Sequence, residues 1–189
     1  MRIKRKLETP RLILRRWRTS DKDDCYEYAK LDTVGPDAGW RPHSSVDESK
    51  KIIRSVLSKP GTYAVVLKET GKVIGSIGLH DTTISRDDIG NKALEMGYVL
   101  SPDYWGHGYI PEAAMALIDY VFSELKLDNL WCGHFDYNDK SRRVCEKCGF
   151  EYMYDKQATI EQLDGITLTE KIYKLSRQKF YDEIKNDPH

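Results

Sequence analysis

The sequence predicts one mixed α/β domain, and three observations carry that reading. Apolar segments of period two and of period three-to-four interleave along the chain, giving the order β-α-α-β-β-β-α-β-α-β-β. No internal repeat, low-complexity tract or linker interrupts this order. At 189 residues the chain is long enough to bury one substantial core.

Residues Thr9 to Trp17 (TPRLILRRW) set Leu12, Leu14 and Arg16 against Ile13, Arg15 and Trp17, the alternation of a strand with one well-buried face. Ser20-Asp21 reads as an N-cap with acidic residues in the first turn, opening a helix to about Leu31. Asp32 to Ser44 holds two prolines, two glycines and Trp40 and is a loop, in which the tryptophan either lines a pocket or packs the loop on the core. Ser45-Val46-Asp47-Glu48 has the form of a capping box, and Ile52, Ile53, Val56 and Leu57 mark one face of the helix it opens. Lys59-Pro60-Gly61 ends that helix. TYAVVLK (62–68) and KVIGSIGLH (72–80), joined by Glu69-Thr70-Gly71, then read as a hairpin, and the polar stretch Asp81 to Asn91 as a loop.

The centre of the chain is a strand, a glycine-spaced loop and a helix. Leu94 to Leu100 is apolar and aromatic and is closed by Ser101-Pro102-Asp103, because Pro102 cannot donate to a ladder. From Tyr109 the spacing changes: Ala114, Leu117, Ile118, Val121, Phe122 and Leu125 recur every three or four residues, with Pro111 and Glu112 near the start. Between them lies Trp105-Gly106-His107-Gly108-Tyr109. Two residues without Cβ let the backbone turn sharply and approach a ligand closely, and the first helical turn adds amides without intrahelical partners. Loop and helix end together form a seat for a phosphate or pyrophosphate. There is no Gly-Lys-Ser/Thr, and Pro111 stands where a dinucleotide fingerprint has its third glycine, which argues against nucleotide hydrolysis and dinucleotide binding.

Asn129 to Asp136 is a further strand; Asn138-Asp139 caps a short helix ending at Gly149; Phe150 to Asp155 and Thr167 to Leu175 are strands around Asp164-Gly165; and Gln178 to Ile184 forms a terminal helix. Four cysteines without a secretory signal are expected to be reduced. Cys132, His134, Cys145 and Cys148 are open to two readings, buried small hydrophobes or a Cys₃His zinc site. Thirty basic residues balance thirty acidic ones, so no global field draws nucleic acid or anionic membrane. The basic MRIKRKLETP start has no apolar signal region and no run approaches a bilayer span; a soluble, cytoplasmic protein is expected.

The segments ETPRLILRRW, VIGSIGLH, LEMGYVLSPDYWGHGYIPEA and NDKSRRVCEKCGF, in this order and spanning roughly Thr9 to Tyr173, resemble the GCN5-related N-acetyltransferases, and among them the ribosomal-protein N-terminal acetyltransferases. The resemblance implies a single domain over 1–189 with its core at about 9–175. It also implies one mixed, centrally splayed sheet flanked by helices, the acyl-coenzyme A N-acyltransferase fold, with acetyl-coenzyme A in the V-shaped cleft. The cofactor's pyrophosphate would sit on Trp105, Gly106, His107, Gly108, Tyr109 and Ile110. Its pantetheine arm would pair with Val99 and Leu100, with Asn138 and Ser141 reaching it from the short helix. Asp103 departs from the arginine or glutamine that the wider family carries before the glycines.

Acetyl transfer to an amine needs a neutral amine, hence a base for its proton, a polarised carbonyl and a proton for the departing thiolate. Glu95, the only acid of its strand, is the expected base, with His80 in reserve. A backbone N–H near Val99 or Leu100 would polarise the carbonyl. Many family members carry a tyrosine as general acid where this chain has Cys145; Ser141, one turn earlier on the same helix face, is the expected replacement. Asp32, Asp37, Asp81, Asp87 and Asp88 are acids that could border a cationic acceptor. The resemblance suggests a protein N-terminal α-amine, while polyamines, amino acids and aminoglycosides suit the same chemistry. No metal, nucleic acid or membrane partner is expected, and the chain would be a monomer or homodimer. The alternative is a non-catalytic acyl-coenzyme A sensor or scaffold, which would keep the phosphate seat and not need Glu95.

Overall fold

A computed structural model describes residues 3–81 and 93–184 of the chain. The alternation at the N-terminal end builds two strands where one was expected. Lys6–Glu8 (β1) and Leu12–Arg15 (β2) pair antiparallel with Leu7 opposite Leu14, and residues 9–11 turn between them. In the sequence β1 is concealed, because Leu7 is its only apolar residue.

A short 3₁₀ turn, Thr19–Asp21, leads into α1, Lys22–Ala29. Asp21 stands at the N-cap, but its carboxylate faces away from the helix amides. It accepts from the Arg15 guanidinium at 2.7 and 2.9 Å and from the Arg18 N–H at 2.8 Å, correcting the expected cap. α2, Val46–Ile52, continues as a π-helical turn, Ile53–Leu57. Its capping box is half formed. Ser45 Oγ accepts from the Glu48 N–H at 3.1 Å, while the Glu48 carboxylate turns to the N–H and hydroxyl of Ser44, both at 2.6 Å.

The expected hairpin is β3, Thr62–Leu67, and β4, Val73–Asp81, followed by β5, Ala93–Leu100. Of the loop expected over Asp81 to Asn91, Asp81 ends β4 and the rest lies outside the described residues. α3, Tyr109–Tyr120, ends in a π-helical turn, Val121–Leu125. Then come β6 (Asn129–Phe135), α4 (Asp139–Lys147), β7 (Glu151–Ile160), β8 (Ile166–Ser176) and α5 (Arg177–Lys179), the last continued by Phe180–Ile184. β7 and β8 outrun their expected lengths because their far ends form a largely exposed ribbon. There Gln157 meets Thr169 and Thr159 meets Thr167, so no apolar alternation marks them.

The eight strands make one sheet in the order β1-β2-β3-β4-β5-β6-β8-β7, antiparallel throughout except between β5 and β6. That parallel ladder holds only at Ala93–Met96 against Asn129–Cys132. Beyond Met96 and Cys132 the strands part, and the sheet is splayed at its centre. One face of the sheet carries the main core: Leu94, Met96 and Leu100 of β5 pack with Ile110, Ala114, Leu117 and Ile118 of α3 and with Cys145 of α4. The other face, where side chains alternate, carries a second core of Trp17, Tyr28, Ile53, Ala64 and Val66, joined by Val99.

Candidate active site

Where β5 and β6 part, a cleft of about 950 Å³ opens. Its lining includes Glu95, Val99, Leu100, Trp105, Gly106, Gly108, Tyr109, Ile110, Asn138 and Ser141, ten of the eleven residues singled out from the sequence, and Tyr98 besides. His107 is the exception; it is exposed, and its carbonyl accepts a hydrogen bond from Arg11 at 3.0 Å. Val99 turns its carbonyl toward Gly75 of β4. Successive strand residues turn their peptide groups to opposite edges, so Tyr98 and Leu100 are the residues whose backbone faces the gap. The Leu100 carbonyl already accepts from the Trp105 indole N–H at 3.0 Å.

At the mouth of the cleft the chain passes from a 3₁₀ turn, Pro102–Tyr104, into the glycine loop. Gly106 and Gly108 adopt φ of 80° and 74°, the left-handed region that residues with a Cβ avoid. Gly108 is the N-cap of α3 and has no side chain to satisfy the amides of Tyr109 and Ile110; Pro111, third in the helix, has no N–H. The loop therefore presents free backbone donors at the positive end of a 12-residue helix, beside a glycine with nothing within 4 Å of its Cβ position. A pyrophosphate fits this seat.

The N-terminal ETPRL segment braces it, a function the sequence alone did not disclose. Glu112, in the first turn of α3, accepts from the Thr9 hydroxyl at 2.5 Å and from the Arg11 N–H and guanidinium at 2.9 and 2.6 Å. Burial would raise the Glu112 carboxyl, but these bonds hold it below its ordinary value. Arg11 also lies 4.5 Å over the Tyr109 ring. On the opposite wall Lys140 stands 4.1 Å above the Trp105 ring, a further positive charge at the mouth.

Deeper in the cleft, Asn138 caps α4 by accepting from the Ser141 N–H at 3.0 Å, which commits its carbonyl oxygen and leaves its amide NH₂ to a ligand. Ser141 Oγ lies 2.7 Å from the hydroxyl of Tyr98, which is also 3.2 Å from the Ser141 carbonyl and 3.8 Å from Cys145 Sγ. Tyr98 was read from the sequence only as an apolar strand residue. Its pairing with α4 is a long-range contact with no local signal. Cys145 is buried and donates to Cys132 Sγ at 3.5 Å, the packing expected of it. His134 Nδ1 is 2.8 Å from the Phe135 carbonyl. Among the described residues no group of three His, Cys, Asp or Glu side chains is placed to hold a metal.

On the other face, Glu95 sits opposite His80 across the β4–β5 ladder, and the His80 ring lies 3.5 Å from where a Cβ would stand on Gly97. Glu95 is half-buried, and burial first, the negative charge of Glu170 second, push its carboxyl up to about 7. Glu170, on β8, also escaped the sequence reading. Its Oε1 lies 2.5 Å from the Cβ position of Gly133, so it reaches over β6 toward the gap through the space that glycine leaves. Burial raises its carboxyl too, and Lys156 opposes the rise in both acids only through its charge at a distance. Burial lowers His80.

The rim on this face is the 32–44 loop. Trp40 lines the cleft and packs against His43, with ring centroids 5.1 Å apart, and Arg41 reaches the Gln162 carbonyl at 2.9 Å in the turn after β7. Of the expected acceptor-side acids, Asp37 lines the cleft, its carboxyl raised by burial; Asp32 and Asp81 are exposed and do not line it; Asp87 and Asp88 lie outside the described residues. No helix among the described residues is long and apolar enough to cross a membrane.

Residues 11–151 match the family model of an acetyltransferase (GNAT) domain. The chain is 32% identical over 150 residues to the uncharacterized N-acetyltransferase p20 of Bacillus licheniformis, covering 77% of this chain and 82% of that one. The fold matches the crystal structure of a GNAT-family acetyltransferase from Bacillus anthracis with a TM-score of 0.79 at 22% identity, over 92% of this chain and 99% of the other. It also matches a ribosomal-protein-S5-alanine acetyltransferase from Vibrio fischeri with a TM-score of 0.66 at 21% identity, over 95% and 98%. The chain therefore belongs to the GNAT acetyltransferases and is an acetyl-coenzyme A-dependent enzyme.

Proposed function

We propose that this chain, folded as a single domain, moves the acetyl group of acetyl-coenzyme A to a primary amine by direct attack in a ternary complex, with Glu95 as base. The observation that carries the reading is Glu95 itself: a half-buried carboxyl titrating at about 7, in the cleft beside the point where β5 and β6 part. A carboxyl of that pKa is substantially ionised at neutral pH and is a far stronger base than an exposed glutamate.

The donor substrate supplies an acyl thioester. Gly106 to Ile110 bind its diphosphate through backbone N–H groups, and the free edge of β5 at Tyr98 and Leu100 takes its amide arm as an added strand. A backbone N–H on that edge polarises the acetyl carbonyl. An alkyl amine enters mainly as its ammonium ion, and the facing carboxylates of Glu95 and Glu170 favour that cation at the acceptor side. Glu95 takes the proton, directly or through a water, so that the nitrogen lone pair can attack. Ser141 donates a hydrogen bond to sulfur as the C–S bond breaks and the electron pair stays on the thiolate; the second proton that nitrogen sheds as the amide forms passes through water to that thiolate, giving the neutral amide and the free thiol. Asn138 holds Ser141 in place through the helix cap. A protein N-terminal α-amine is the acceptor class we favour, in keeping with the Vibrio fischeri neighbour's name.

Calorimetric titration with acetyl-coenzyme A, followed by thiol-release assays on peptides, amino acids, polyamines and aminoglycosides, tests this reading. Binding with turnover on an amine is the expected result. Binding without turnover on any of them would favour a non-catalytic sensor, and no binding would overturn the assignment of the seat.

A further inference from the structure

Ser141 is held by a partner that plays no part in the reaction as described so far. The Tyr98 hydroxyl, from the strand edge facing the gap, lies 2.7 Å from Ser141 Oγ and 3.2 Å from the Ser141 carbonyl oxygen, with Cys145 Sγ at 3.8 Å. Cys145 is small and wholly buried. A larger side chain there would project into the space that the Tyr98 hydroxyl fills. We infer that Tyr98 is a positioning residue for the transfer: its hydroxyl donates to Ser141 Oγ, fixes the serine rotamer, and leaves the serine's own proton free to point into the cleft at the sulfur of the leaving thiolate. The inference rests on the acetyltransferase reading above and goes beyond it by naming what orients Ser141.

The direction of the hydrogen bond follows from the chemistry of the two hydroxyls. A phenol is a stronger donor than an alkyl alcohol, and the alcohol oxygen is the better acceptor, so the short contact runs from Tyr98 to Ser141. The Ser141 carbonyl, which can only accept, draws the same phenolic proton from the same side. With its lone pair engaged, Ser141 Oγ becomes a better donor on its free side. Burial, the nearby thiols adding to it, raises the Tyr98 phenol well above its ordinary value, so Tyr98 keeps its proton throughout and acts only as a hydrogen-bond donor. No proton leaves either hydroxyl. The C–S electron pair remains on sulfur, stabilised by the Ser141 hydrogen bond; one proton of the ammonium rests on Glu95, and the second, released as the amide forms, reaches the thiolate through water.

The test uses coenzyme A, the thiol product, bound to the whole chain, and needs no acceptor. The ionisation of the bound thiol is followed by thiolate absorbance against pH in the wild type, Tyr98→Phe, Ser141→Ala and the double variant. A hydrogen bond to the charged form favours that form. The wild type should therefore hold the bound thiol more acidic than free coenzyme A. Tyr98→Phe should lower the thiolate-to-thiol ratio about tenfold, Ser141→Ala by a similar factor, and the double variant by no more than the larger of the two. In turnover, Tyr98→Phe should lower kcat while leaving both KM values within about twofold. A bound thiol that titrates identically in wild type and Tyr98→Phe, or two effects that multiply, would overturn the inference while leaving the acetyltransferase reading intact. Failure of the wild type to bind coenzyme A would overturn both. Ser141→Thr guards against misfolding: it keeps a hydroxyl, and its bound thiol should remain sensitive to Tyr98→Phe.

Discussion

Replacing Glu95 by glutamine should make this protein a poorer enzyme and a more stable one. In the fold the Glu95 carboxyl moves from its ordinary 4.5 to about 7, burial being the first cause and Glu170 the second. The folded state therefore resists ionising a group that the unfolded chain ionises freely. The stability this contributes is complete below pH 4.5 and is lost as pH rises to about 7; glutamine, which never ionises, loses none. At about 1.4 kcal/mol per pKa unit the penalty reaches roughly 3 kcal/mol, and the partial exposure of Glu95 reduces it to ~1–2 kcal/mol. For a chain of this length each kcal/mol moves the melting temperature by about 2–4 °C. Melting curves of wild type and Glu95→Gln between pH 4 and 9 should coincide at the acid end, separate between 4.5 and 7, and run parallel above 7 with the variant higher. Acetyl transfer by the variant should fall by ~10²–10⁴ at pH 7.5. A variant no more stable than wild type at pH 8 would refute the burial argument; one that retains more than a third of its kcat would remove Glu95 as the base.

Three further outcomes follow from the geometry. In wild type, kcat/KM should fall on the acid side with a midpoint near pH 7, and Glu170→Gln, by removing a like charge, should move that midpoint down by about half a pH unit; an unchanged or upward-moving limb would show that the two acids do not interact. Gly108→Ala places a Cβ on a residue at φ 74° beside Arg11 and should weaken acetyl-coenzyme A binding about tenfold by calorimetry while leaving the amine's KM alone. Asn138→Ala removes the α4 cap and should cost ~1 kcal/mol in urea unfolding, together with a loss of kcat through the displaced Ser141; full stability would mean the cap is dispensable.

What could be read in the sequence followed from local chemistry. The glycine loop, the proline that stops β5 and the asparagine cap of α4 announce themselves by residue type, and each stands where it was expected. Glu95 stood out because it is the single acid of an apolar strand. Features made by distant pairing gave no such sign. Tyr98 and Ser141 are 43 positions apart, and an aromatic residue on an apolar strand looks like core until the register of α4 is known. Glu170 resembles any solvated strand acid unless β8 is known to lie beside Gly133. Arg11 and Glu112, 101 positions apart, meet only because β2 and the start of α3 converge, so a motif visible at the N-terminus had no visible purpose. β1 was hidden for a simpler reason: a basic run carries too little apolar signal to mark a strand.

The brevity of the ladder between β5 and β6 has a mechanical consequence. Five strands and three strands form two leaves, joined along the sheet by the hydrogen bonds of four residue pairs. Amides on the free edges, at Tyr98, Leu100 and the far end of β6, have no neighbouring strand to protect them against local opening. A donor molecule lying along β5 with its head on α3 would stitch the leaves at the place where the backbone leaves them unjoined. A donor bound in this way would complete the sheet, and protection of these edge amides against hydrogen exchange would be a direct gauge of occupancy.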